Sequence, residues 1–230
     1  MHSVVYGDNV IPFELRVSNR KTLGITVYPD LRVVVSAPEG ASEEKIREKV
    51  KSKARWIMKQ QRGFEKFQPL SKQKEYVSGE THLYLGKEYI LKVIRSDKEY
   101  VKLKGKYFLV ETRNPDKAGK LMEEWYRAKA SIHFSSIIDD LIPLFDRKEI
   151  KIKDLIIRKM NTRWGSCTPG GTITLNLQLI KAPRRCIEYV ILHELCHLVY
   201  HKHDTRFYKL LHSMMPNWEK WKERLEVTLA

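Results

Sequence analysis

The chain has 230 residues, 42% of them hydrophobic and 31% charged, a balance that fits one or two soluble globular domains and excludes an intrinsically disordered chain. No apolar run approaches the roughly 20 residues of a membrane-spanning helix, the opening MHSVVYGDNVIPF lacks the blocks of a secretion signal, and Cys167, Cys186 and Cys196 cannot close a disulfide framework, so a reduced, cytoplasmic setting is expected. The net charge of +15 fits contact with nucleic acid or nucleotides through a basic surface as well as it fits solvated lysine.

In the first third, VIPFELRV, LGITVYP and LRVVVSAP are β-branched and partly alternating, and the intervening SNRK and YPDL have turn composition, so strands are expected. After Pro38-Glu39-Gly40 the pattern predicts a helix with Ser42 as N-cap and Glu43 and Glu44 in the first turn, where the dipole favours anions. Ile46, Val50, Ile57 and Phe64 fall near one stripe, and the nine lysines and arginines between Lys45 and Lys66 lie mostly elsewhere, as a solvated face or a nucleic-acid face. Strands resume after Pro69 with THLYLGKEYILKVI, EYVKL and KYFLVET, the last two joined by a Lys104-Gly105-Lys106 turn; residues 66–82 are where a lid would be sought. Asn114-Pro115-Asp116 opens a long amphipathic helix running towards Pro143. IKIKDLIIRKM reads as a short strand, followed by RWGSCTPGGTITLNLQL, where Pro169-Gly170-Gly171 turns a hairpin. A further helix begins around Pro183, and Pro216 separates two C-terminal helical stretches. The expected fold class is α+β, with a β-rich part carrying one basic helix over residues 1–113 and a metal-binding part over 114–230.

Four of the eight histidines fall between His193 and His203. His193-Glu194-Leu195-Cys196-His197 is an H-E-x-x-H sequence between apolar flanks. On a helix its two histidines lie about 40° apart and about 6 Å along the axis, so both imidazoles can converge on one Zn2+ ion at about 2.0–2.1 Å. Glu194 can then reach a metal-bound water without occupying a coordination position. For the third ligand, His201 stands about 12 Å along the axis from His193, too far to share the ion. His203 reaches it only if the helix ends after about Tyr200 and the chain turns back, which the polar run His201-Lys202-His203-Asp204 allows; His203 is the first choice, and Glu219 or Glu223 the competing one. Asp204 either accepts the outer N–H of a ligand imidazole or caps a helix from Thr205, and His201 and His212 belong to the surface or support the ligands. Three protein ligands leave a position for water, whose proton Glu194 would take, and imply hydrolysis. The alternative is a basic nucleic-acid-binding protein with a structural zinc.

Several stretches resemble the YgjP-type metal-dependent hydrolases, relatives of SprT-like and WSS1-like zincins. RWGSC with TITLNLQL resembles the family's hairpin, YVILHELCHL its metal helix, HDTRFYKLL and MPNWEKWKERL its tail, and YLGKEYILKV and KARWIMKQ its N-terminal portion. The resemblance implies a zincin-like catalytic domain with His193, His197 and His203 as ligands and Glu194 as base. Lys202 and Asp204 depart from the asparagine and serine usual beside the third histidine, and Tyr200 stands where metzincins need glycine. The resemblance implies a metallopeptidase acting on peptide or protein; some members are described as UTP pyrophosphatases, so a nucleoside triphosphate substrate, with Mg2+ or Mn2+ bound through its phosphates, is the rival. Arg163, Arg158 and Ser166 are the candidate substrate contacts, the arginines by bidentate clamping of phosphate or by supporting a peptide. Trp164 is expected in the core, and Cys167 and Cys196 as buried small residues.

Overall fold

The computed structural model describes residues 2–28, 30–65, 74–145 and 150–229, and the chain divides into two units, Met1–Lys72 and Gln73–Leu229. In the first unit β1 (His2–Tyr6) and β2 (Asn9–Val17) form an antiparallel hairpin; β3 (Gly24–Val27) and β4 (Val33–Ala37) complete a sheet in the order β1-β2-β4-β3. The sequence pattern does not announce β1. Val4 is its one fully inward residue, too little alternation to mark a strand without its partner.

Two helices follow, α1 (Glu43–Ser52) and α2 (Ala54–Glu65), where one was expected. Ser42 caps α1 as predicted, its hydroxyl accepting from Lys45 N. At Lys53 the amide returns to Val50 O, and the break sets Ala54 and Ile57 on the same core as Ile46, Val50, Phe13 and Val35. Cohesion of the apolar stripe thus outweighs continuity of the helix.

The second unit begins with β5 (Thr81–Tyr84), β6 (Lys87–Arg95), β7 (Tyr100–Lys104) and β8 (Tyr107–Thr112), ordered β5-β6-β8-β7 with β6 and β8 parallel. A single 3-10 turn, Pro115–Lys117, capped by Asn114 through its side chain, leads into α3 (Ala118–Leu141). Met122, Tyr126, Ala130, Phe134 and Ile137 recur at helical spacing and are buried. β9 (Asp154–Arg158), β10 (Gly165–Cys167) and β11 (Thr172–Asn176) form a second sheet ordered β10-β11-β9. After a 3-10 stretch, Leu177–Lys181, come α4 (Arg184–Val199), α5 (Thr205–Met214) and α6 (Trp218–Leu229). α4 is apolar on most of its circumference, with Ile187, Ile191, Leu192 and Leu195 fully enclosed, as befits an interior helix.

The boundary expected at residues 113 and 114 falls inside this second unit. Leu91, Phe108 and Val110 of the first sheet share one core with Met122, Tyr126 and Phe134 of α3, because the sheet has one apolar face and the next helix in the chain covers it. Of the segment considered as a lid, residues 66–73 lie outside the described residues. The rest is tied down by Glu80, whose carboxylate accepts from Glu75 N at 3.1 Å and Tyr76 N at 2.8 Å and meets His82 Nε2 at 2.9 Å. No helix among the described residues is long and apolar enough to cross a membrane.

The two-residue turn between β5 and β6 aligns the start of α4. Leu85 and Gly86 both have positive φ, 48° and 78°, as such hairpins require, and their amides donate to Ile180 O at 3.0 Å and Lys181 O at 2.9 Å. A Cβ on Gly86 would lie 2.7 Å from Pro183 Cγ. Gly86→Ala is expected to lower stability by about 1–3 kcal/mol through combined strain and overlap, read as a shifted midpoint in denaturant unfolding.

Candidate metal centre

α4 carries His193, Glu194 and His197 and ends where the site needs it to. Tyr200 is extended (φ −130°, ψ 106°), its amide donating to Cys196 O. The chain then restarts as α5 under the cap of Asp204, whose Oδ1 accepts from Arg206 N at 3.0 Å and Phe207 N at 3.1 Å. Asp204 therefore acts as the cap, one of its two expected roles. His203, just before that cap, is returned to α4.

Its Nε2 lies 2.9 Å from His193 Nε2 and 3.0 Å from His197 Nε2. Among the described residues no carboxylate or thiol joins this cluster; Glu219 and Glu223 are exposed residues of α6. His201 is exposed and turns its Nδ1–H to His197 O at 3.0 Å, and His212 is exposed on α5.

The floor under the three imidazoles is Phe207, fully buried, with its ring centroid 4.9, 4.6 and 4.8 Å from those of His193, His197 and His203. One aromatic ring in contact with all three limits how far any of them can swing. No local pattern in the sequence marks Phe207 for this role.

The donor set fits a divalent metal. His197 Nδ1 meets Tyr200 O at 3.1 Å; a carbonyl only accepts, so that nitrogen carries the proton and the Nε2 lone pair faces the cluster. Burial, and then the two neighbouring imidazoles, hold His193 down at about 3, so it is neutral, the form that ligates. Burial likewise lowers His197. Three imidazole nitrogens brought together, with the His197 lone pair turned inward, make the donor set that a divalent ion takes.

Glu194 is 5% exposed. Burial pushes its carboxyl up to about 7, against the opposing pull of Arg163. β10 runs directly over it: a Cβ on Gly165 would lie 2.5 Å from Glu194 Oε1 and 2.9 Å from its Cδ. Only glycine allows the strand this approach. The loop before β10 is held by buried Asn176, whose Nδ2 donates to Met160 O at 2.8 Å and Arg163 O at 3.1 Å while its Oδ1 accepts from Gln178 N. Gly165 and Asn176 stand in RWGSC and TITLNLQL, but their roles depend on an approach between distant segments that no local spacing encodes.

The other expected site residues divide. Arg163 is exposed yet near enough to act on Glu194. Ser166 is half-buried opposite Thr174. Arg158 ends β9, paired with Asn176 on the far side of β11 from β10. Trp164 packs against the core. Burial pushes the Cys167 thiol up to about 11, with Glu194 adding to it, and Cys196 up to about 12, so neither is a ready nucleophile.

The YgjP-like metallopeptidase domain model matches residues 21–228 of this chain. No curated protein sequence matches it. Among solved structures, the metallopeptidase zymogen of Methanocaldococcus jannaschii jannalysin is similar at 21% identity over 41% of this chain and 92% of its own length, with a TM-score of 0.35.

Two outcomes are expected. Phe207→Ala lowers stability by about 3–5 kcal/mol and weakens metal retention against a chelator, whereas Phe207→Leu keeps most of both. In metal-free protein Glu194 keeps its proton up to about pH 7 when folded but only to its ordinary 4.5 when unfolded, so its contribution to stability falls as pH rises between those values. Glu194→Gln abolishes that fall. In chelator, thermal melts should show the variant gaining on wild type from pH 4.5 to 8, by an order of 2–3 kcal/mol, the histidines being common to both.

Proposed function

The chain belongs to the YgjP-like metallopeptidase family and is a metal-dependent hydrolase, and we propose that it is a zinc peptidase in which His193, His197 and His203 hold the ion and Glu194 is the general base. Held by these three imidazoles, a zinc ion would supply a Lewis acid and lower the pKa of a nearby water towards about 7. Glu194 accepts a proton from the attacking water and delivers it to the leaving amine. Burial raises its carboxyl above the ordinary carboxylate range before any ion is bound, which strengthens it as a proton acceptor.

The observation that carries the peptide reading is the free edge of β10 against this carboxyl. Asn176 N donates to Trp164 O and Thr168 N to Thr172 O, so by the two-residue repeat of an antiparallel ladder Ser166 also faces β11. The N–H and C=O groups of Gly165 and Cys167 then point away from β11, and no strand among the described residues pairs with them. An extended peptide can add there as a further strand, bringing a scissile amide past Glu194. Arg163, at the mouth of the same strand, is suited to an oxyanion or a substrate carbonyl.

Zinc-loaded protein incubated with a mixture of unstructured peptides should cleave them. Glu194→Gln should lose about 10²–10⁴ of that rate, and Gly165→Ala should lose activity while retaining zinc, because its methyl occupies the carboxylate's space. Pyrophosphate release from UTP, run alongside, separates the rival. Release that Glu194→Gln abolishes, with no peptide cleaved, would replace the peptidase reading with a nucleotide hydrolase.

A further inference from the structure

The core uses only one face of the sheet β5-β6-β8-β7. Leu91, Phe108 and Val110 point inward and are buried; their chain neighbours point to the other side. The register lays that outer face out in rows across β6, β8 and β7. Ile90, Tyr107 and Lys104 stand abreast, and Lys92, Leu109 and Lys102 form the next row. The lysines are exposed and the residues between them half-buried. In the row beyond, Ile94 and Tyr100 expose 42% and 39%, large fractions for apolar groups on a sheet.

Charge on this face is mainly cationic, with Glu111 between Ile94 and Tyr100 and Glu88 beside Leu83 as its acidic members. Lys92 Nζ lies 3.8 Å from the centroid of the Tyr107 ring, and Lys106, on the adjoining turn, 5.6 Å from it. Glu111 accepts the Tyr100 hydroxyl. In the adjoining loop, Asp97 pairs with Arg113 at 3.0 Å and Glu99 with Lys117 at 2.8 Å. Among the described residues no carboxylate pairs with Lys92, Lys102, Lys104 or Lys106; Glu88 lies at the start of β6, opposite Leu83.

We infer that the outer face of this sheet binds single-stranded nucleic acid, with phosphates at Lys92, Lys102 and Lys104 and bases against Tyr107 and Leu109. Lysines two apart on one strand are separated by about 6.8 Å, and those two strands apart by about 10 Å, a lattice of cations around an aromatic and aliphatic floor. Bases stack on such floors irrespective of sequence, and flat sheets bearing aromatic residues and cations serve single strands in this way. An extended peptide is served better by a sheet edge, where backbone groups are unpaired; this face offers side chains alone. The inference is independent of what the metal centre cleaves.

Fluorescence anisotropy of the full zinc-loaded chain with a labelled oligothymidylate of about 20 nucleotides tests it. Wild type should bind with strong salt dependence. The triple substitution Lys92→Gln, Lys102→Gln, Lys104→Gln should weaken binding at least about tenfold and reduce the slope of log K against log salt by about 2, near 0.7 for each phosphate no longer neutralised. Photocrosslinks should map to Tyr107. The same charge removed from exposed Lys45, Lys49 and Lys51 of α1 should leave affinity nearly unchanged. Absence of binding at physiological salt would overturn the inference, as would equal weakening by the α1 variant. Tighter binding of a polyglutamate chain than of the oligonucleotide, abolished in the triple sheet variant, would also overturn it and assign the face to an acidic protein segment.

Discussion

The close passage of β10 over α4 is the contact on which the remaining geometry of the centre turns. A strand crossing within van der Waals reach of a carboxyl group excludes water from one side of it, and that exclusion, with an apolar helix on the other side, is what raises the pKa of Glu194. The approach demands glycine at 165. It also demands that the preceding loop be held, which the buried amide of Asn176 does through two carbonyls at once. A carboxyl so enclosed is unfavourable to ionise in isolation, and a nearby divalent ion removes that penalty. An ion held by the three imidazoles would therefore complement the Glu194 carboxylate.

The helices arrange the donors by ordinary means. α4 must be interior for its histidines to be dehydrated and neutral, so its flanks are apolar on nearly every side. It must also stop, because a continuing helix carries residue 203 away from the face of His193 and His197. Extended Tyr200 and the Asp204 cap supply the stop and the restart, and Phe207, three residues into the new element, supports the imidazole rings. One short polar loop thus joins two helix ends and a donor, with side-chain-to-backbone hydrogen bonds in place of the glycine that often ends helices.

The same unit segregates its charge. Around the centre, burial keeps groups neutral: His193 and His197 are held below their ordinary values, and the thiols of Cys167 and Cys196 above theirs. On the outer face of the sheet β5-β6-β8-β7, the cations stand in solvent, and among the described residues they have no carboxylate partners. Buried neutrality suits a metal and a proton acceptor, whereas exposed unpaired charge suits a polyanion, and the fold keeps the two environments on different elements.

Much of this was legible in the sequence, because the relevant physics is local. Helical spacing puts His193 and His197 on one face beside Glu194, Ser42 is a cap by its own side chain, and Pro169-Gly170-Gly171 is a turn by its backbone freedom, whereas Asp204 had two roles open to it. The α+β class follows from the same periodicities. Tertiary structure alone decided what depends on distant segments meeting. It brought His203, already the first choice over Glu219 or Glu223, to the cluster, set Phe207 beneath it, and laid Gly165 on Glu194 while leaving Arg158 beyond β11. It also moved the boundary from near residue 113 to near residue 72, since a sheet with one apolar face must share its core with whichever helix covers it, and no hydrophobic pattern names that helix. Local sequence sets what each segment can be; burial of apolar surface, which is non-directional, decides which segments meet.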